Sequence, residues 1–156
     1  MTTTFRSIVS TAARHRARPP VERSTFVIVQ HGPFRLAIPV ECVLRVERAT
    51  TATALVPFGG TMLPVHALAI GEEAEGCHTR HPDDRVLILR AHATAPPHLA
   101  GLVHAVLDVV AVDTVLVRPR STLAEEVPAH PAVRGMFPRM DSPVWVIDPA
   151  RCPRPA

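Results

Sequence analysis

A chain of 156 residues has room for one ordinary domain, or for two small halves around a shared core, and 47% hydrophobic residues supply an ample interior. No stretch approaches the roughly 18 continuous apolar residues of a membrane helix, and no apolar signal core stands near the N-terminus, so the sequence reads as soluble. The basic balance belongs to one end: residues 1–23 hold five Arg against one Glu (+4), the rest twelve Arg against thirteen acidic residues (−1), and that leaves no basic footprint on the fold for nucleic acid.

Residues 1–24 read as an Arg-rich, nearly acid-free leader, disordered and cytosolic rather than an organelle transit peptide. Beyond it, seventeen prolines punctuate the chain, and each removes a backbone donor and blocks a helix interior. The windows long enough for a helix reduce to 40–56 and 98–118. Seven Val stand in 99–117, and Thr50, Thr51 and Thr53 follow the first window. Such β-branched residues favour strands over helices. The pattern predicts strands at 26–31, 34–38, 43–48 and 62–66, with one helical turn around 40–43. A polar loop without periodicity follows from Gly71 to Asp84. Further strands are expected at 85–91, 99–103, 106–112 and 115–118, then a Pro-spaced surface stretch 119–135, then strands near 136–139 and 143–148. Many short strands with regular turn signals suggest barrels or a sandwich.

The two windows also carry a repeat. Val40-Glu41-Cys42-Val43-Leu44-Arg45-Val46 returns as Val103-His104-Ala105-Val106-Leu107-Asp108-Val109. An apolar run precedes each copy: Phe26-Val27-Ile28-Val29 and Val86-Leu87-Ile88-Leu89. Two related half-domains follow from this, at about 26–70 and 85–152, with 71–84 as linker.

Little in the chain points to chemistry. Three cysteines (42, 77 and 152) at wide spacing argue against a disulfide framework and for a reducing compartment. Cys42 reads as a small buried residue in an apolar strand. Cys77-His78, His81, Asp83 and Asp84 form the one cluster with metal-ligand character, but a recognisable second ligand pair is lacking. No nucleophile elbow, phosphate loop or H-E-x-x-H appears. No cofactor and no catalytic residue is expected. The apolar run Leu55-Val56-Pro57-Phe58 reads either as core or as an exposed docking patch.

In order and spacing, FVIVQHGPFRLAIPVECVLRVER, MLPVHALA, RVLILRA, GLVHAVLDVV and RGMFPRMDSPVWVIDPARC resemble the CheW family of bacterial chemosensory adaptors. The resemblance covers about Thr25 to Cys152. It implies an all-β fold of two SH3-like five-stranded barrels around a common core, here with a shortened first half. It also implies a cytoplasmic, non-enzymatic job: bridging chemoreceptor cytoplasmic tips to a CheA-type histidine kinase, with other CheW-like domains as further partners. The chain departs from the family in three places. Leu55–Phe58 runs straight into Gly59-Gly60, so the Asn-Leu-Arg-Gly motif is missing: Gly60 stands for its glycine, and Gly59 for its arginine. His66 and His104 stand where aspartates are usual. Arg45 takes a position that is often acidic, beside Val43 at a receptor-contact position.

The resemblance places partner contact at Val43, Arg45, Glu47, Leu55, Val56, Phe58 and Gly60. Arg45 would select charge, the apolar residues would supply area, and Gly60 would permit close approach. Two alternatives are carried forward: a structural array or ring component without receptor binding, and a small metal-dependent enzyme built on 77–84.

Overall fold

The computed structural model describes residues 19–50, 54–68, 70, 81–123 and 127–152. The prolines leave strands as the main structure. These are β1 (Arg23–His31), β2 (Phe34–Pro39), β3 (Val43–Arg48), β4 (Leu55–Phe58), β5 (Thr61–Ala67), β6 (Arg85–Arg90), β7 (Pro97–Val103), β8 (Ala105–Asp113), β9 (Arg118–Pro119), β10 (Val133–Arg139) and β11 (Ser142–Ile147). Among the described residues, helical structure is confined to short 3-10 turns, one of them at Val40–Cys42 where a turn was expected.

The expected elements need four corrections. The leader ends sooner than residue 24, because Arg23 already pairs with Asp113 in the ladder and holds its carboxylate at 2.8 Å. Residues Thr114–Leu116 form a 3-10 turn rather than a strand. Leu55–Phe58 is a strand in its own right, paired residue for residue with β5. Cys42 is buried as expected, but in the 3-10 turn rather than a strand.

The strands form two sheets, in the orders β8-β1-β2-β11-β10-β9 and β3-β6-β7-β5-β4. Setting aside the two-residue β9, both run through the same pairings: antiparallel, antiparallel, parallel, antiparallel. Each sheet therefore repeats the other, and the duplication is real. Yet the sheets do not divide at 71–84, as the two expected halves would require; residues 71–80 themselves lie outside the described ones. The hairpin β1–β2 is completed by β8, β10 and β11, while the hairpin β6–β7 is completed by β3, β4 and β5. Each half of the chain lends its first two strands to the sheet of the other.

This exchange explains the repeat. In the first copy Val43 faces Leu89 and Arg45 faces Ile88, which leaves Leu44 as an extra residue. In the second, Val106 faces Val29 and Asp108 faces Ile28, which leaves Leu107 extra. The same leucine of the repeat is the bulge in both sheets. A bulge bends its strand and adds right-handed twist, so each copy curls the sheet it enters.

Three hydrophobic clusters fill the curled sheets. Phe26, Ile28, Ala37, Phe137, Val144 and Val146 fill the first sheet; Val56, Leu63, Val86, Ile88, Ala100 and Leu102 fill the second. Between them, Val27, Val29, Leu36 and Ile38 meet Leu87, Leu89, Leu99 and Val103 in one shared cluster. Successive residues of a strand point to opposite faces. The runs Phe26–Val29 and Val86–Leu89 are continuously apolar because one face fills a sheet and the other fills the shared core.

Candidate partner-binding surface

In the second sheet the curl brings the two edge strands, β3 and β4, towards one another. Pro57 lies on that edge of β4 and has no N–H to offer a backbone ladder. A side chain bridges the gap instead. Arg45, one residue past the bulge, donates from Nη2 to the Pro57 carbonyl at 3.5 Å and lies over the Phe58 ring, 4.9 Å from its centroid. It also forms an ion pair with Glu47. Three of the anticipated contact residues, Arg45, Glu47 and Phe58, thus form one cluster on an open rim. A guanidinium over an aromatic face at an exposed site is worth about 0.5–1 kcal/mol, so the cluster is held weakly.

The other anticipated residues divide by the alternation of β4 and by the turn that follows. Leu55 is 44% exposed beside the rim, whereas Val56, at 8%, points inward and supplies core rather than contact. Val43 is half-buried against the shared cluster. Gly59 and Gly60 both take positive φ, +56° and +79°, in the two-residue turn to β5. A Cβ added at either would meet nothing within 4 Å, so the end of this hairpin is a bare backbone surface.

The first sheet has an equivalent rim that the sequence reading missed. Asp108 occupies the repeat position of Arg45 and accepts from Arg139 Nη2 at 2.6 Å, joining β8 to β10. That hydrogen bond, and then the Val109 N–H, hold the Asp108 carboxyl below the ordinary carboxylate range. A groove of about 480 Å³ runs beside the pair, lined by Val110, Val112, Leu116 and Phe137. Leu107 and Met140 line a smaller hollow, of about 200 Å³, on the far side of it. The signal was in the repeat itself: its sixth residue carries a charge in both copies, of opposite sign.

The remaining polar candidates are structural. His104 lies between β7 and β8, where its Nδ1 accepts from the Gly32 N–H at 2.9 Å and its ring stacks on buried His31 at 4.5 Å. His66 is half-buried on β5, opposite Gly101 of β7. Burial raises the thiol pKa of Cys42, and pushes that of Cys152 up to about 12. Both thiols therefore stay protonated near neutrality, the opposite of an activated nucleophile. Of the cluster at 77–84, Cys77 and His78 lie outside the described residues. Buried Asp84 accepts from the His81 N–H at 2.9 Å through Oδ2, while His81 and Asp83 are exposed. Among the described residues, no group of three or more His, Cys, Asp or Glu is placed to hold a metal, and no helix is long and apolar enough to cross a membrane.

No family model and no curated protein matches this sequence. In three dimensions it is similar to the scaffolding protein TtCheW from Thermoanaerobacter tengcongensis, with a TM-score of 0.64 over 81% of this chain and 89% of that one. The fold is that of CheW. At 16% identity the likeness is one of backbone. Of the departures noted in the sequence, Arg45 and the Gly59-Gly60 turn lie at the β3/β4 rim, whereas His66 stands on β5 opposite β7 and His104 lies between β7 and β8, against His31.

Proposed function

We propose that this protein is a non-enzymatic adaptor of a bacterial chemosensory complex, working in the cytoplasm to couple chemoreceptor tips to a CheA-type histidine kinase. One observation carries the proposal: likeness of fold to a scaffolding protein over 81% of this chain and 89% of that one. The work of such a protein is contact, and the rim built from Arg45, Glu47, Leu55 and Phe58 beside Gly60 is where we place it. Arg45, whose side chain stays about half exposed beside Glu47, selects an acidic partner surface; Leu55 and Phe58 add apolar area.

Gly59 favours a second reading within the same class. No side chain stands at that turn to reach a partner, which suits a ring or array component that has lost receptor binding. Co-purification of the full chain with a cognate kinase and a cognate receptor tip separates the two readings. The adaptor captures both, whereas the array component captures only the kinase or a CheW-like neighbour. Arg45→Glu should weaken capture about thirtyfold if the rim contributes about 2 kcal/mol. Retention of neither partner by the unaltered chain sinks both readings.

A further inference from the structure

The exchange of strands between the two halves has a consequence for assembly. Taken alone, residues 23–67 form two separate hairpins, β1–β2 and β4–β5, and a lone β3; no ladder joins these pieces. Residues 85–152 likewise hold β6–β7 and β10–β11 with β9 on its edge, and a lone β8. Every ladder that turns these pieces into sheets crosses between halves: β1 with β8, β2 with β11, β3 with β6, and β5 with β7. What completes each half is thus a specific partner surface, with fixed register and a bulge at a fixed leucine.

Nothing in those four ladders requires that the completing half belong to the same chain. In the single chain, Ala67 and Arg85 flank neighbouring residues of β7, Leu102 and Val103, from either side. They are separated by two strand spacings, roughly 10 Å. Residues 68–84 connect them; Leu68 and Ile70 pack into the shared cluster and Asp84 is buried, so the span between these anchors is residues 71–83, which reaches about 45 Å when extended. The connection is several times longer than the gap it closes in one molecule, and long enough to lead into another.

We propose that two copies of this chain exchange halves, residues 23–67 of each completing residues 85–152 of the other. The product is a two-fold dimer of two whole CheW folds. The occupant of the exchanged surface is a second copy because only the same sequence supplies the same four registers. Every native ladder is kept, and Leu68 and Ile70 keep their places in the shared cluster by travelling with residues 23–67, so exchange trades none of the core and is set by protein concentration while the chain folds; such swapping is a low-cost route to dimers. The dimer displays the Arg45 rim twice, which makes it a two-armed connector.

The test uses the full chain. It is unfolded in denaturant and refolded at low and at high (roughly millimolar) concentration, then sized by light scattering. The expected result is a species of twice the 16.9 kDa monomer mass whose share rises with refolding concentration and persists on dilution. Ser24→Cys with Val112→Cys, at facing positions of β1 and β8, is then oxidised in a Cys77→Ser background. In the dimer fraction this pair must link two chains. If Ser24→Cys/Val112→Cys does not fold, Arg48→Cys with Arg85→Cys, facing on β3 and β6, replaces it. A monomer at every refolding concentration overturns the proposal, and so does a dimer whose engineered disulfides lie within single chains.

Discussion

The two sheets share a strand order, a bulge and a hairpin, yet they finish their rims with different chemistry. The second closes with Arg45 over Phe58 and ends in a bare Gly59-Gly60 turn. The first closes with Asp108 on Arg139 and ends in Met140-Asp141, at φ of 47° and 61°. Both hairpins place two successive residues at positive φ, which Gly adopts without penalty and other residues adopt only with strain. Met140 accepts that strain and is 81% exposed. Duplication has therefore kept what bends the backbone and released what decorates it. The bulge leucines differ in the same way: Leu44 is half-buried against the second sheet's cluster, whereas Leu107 is 47% exposed.

Three experiments break or sharpen this comparison. The largest effect belongs to the equivalent core positions. Ile28 and Ile88 are 1% and 0% exposed, each in its own sheet's cluster and each facing the residue after the bulge. Ile28→Ala and Ile88→Ala should each cost about 2–5 kcal/mol in urea unfolding. Because the shared cluster ties the sheets together, both variants should lose structure in one transition. Two transitions, with only one moved by either variant, would show sheets that fold independently.

The hairpin tips come next and should respond with opposite signs. Gly60→Val introduces a β-branched residue at φ +79° into open space, so backbone strain alone should lower stability, by about 1–2 kcal/mol. Met140→Gly relieves the strain that Gly60→Val creates and should raise the melting temperature, with a gain of up to about 1 kcal/mol. Equal losses in both variants would mean that Met140 packs better than its exposure indicates.

The smallest effect concerns His130, on the stretch before β10, which joins the first sheet through β9 and has no counterpart among the described residues of the second. Burial, and then the nearby Arg120 charge, lower its pKa from the ordinary 6.5. Its Nδ1 accepts from the Ala132 N–H at 3.2 Å, and protonation abolishes that acceptor. The unfolded chain takes up the proton first as pH falls. The contribution of neutral His130 is therefore complete above pH 6.5 and declines as pH drops from there towards the lowered folded value. His130→Gln should flatten this part of the stability profile, measured by denaturation between pH 7.5 and about 5.5. An unchanged slope would assign the acid sensitivity to another group.

Much of this architecture was legible before any coordinates. Prolines and valines excluded helices, the apolar runs marked strands buried on both faces, and the repeated heptapeptide announced duplication. The pairing was not legible. A repeat shows that two segments are alike, but not that each sits in the sheet begun by the other half. Ladders β2–β11 and β5–β7 are parallel, and no local turn chemistry signals a parallel partner. The candidate surface was half legible. Arg45 and Phe58 do meet, but Val56 faces inward because β4 is a strand, an assignment that four residues containing a proline do not suggest. The Asp108–Arg139 rim was missed because it joins residues 31 apart in sequence.

The parallel ladders also bear on how the chain leaves the ribosome. Strand β2, complete at Pro39, cannot find β11 until Ile147 has been made. Contacts this distant in sequence make folding slow. For most of its synthesis the hairpin Arg23–Pro39 therefore has an apolar face and an open edge with nothing to cover them. A nascent chain arrested before residue 142 should bind holdase chaperones, and release from them should follow the emergence of the last strand.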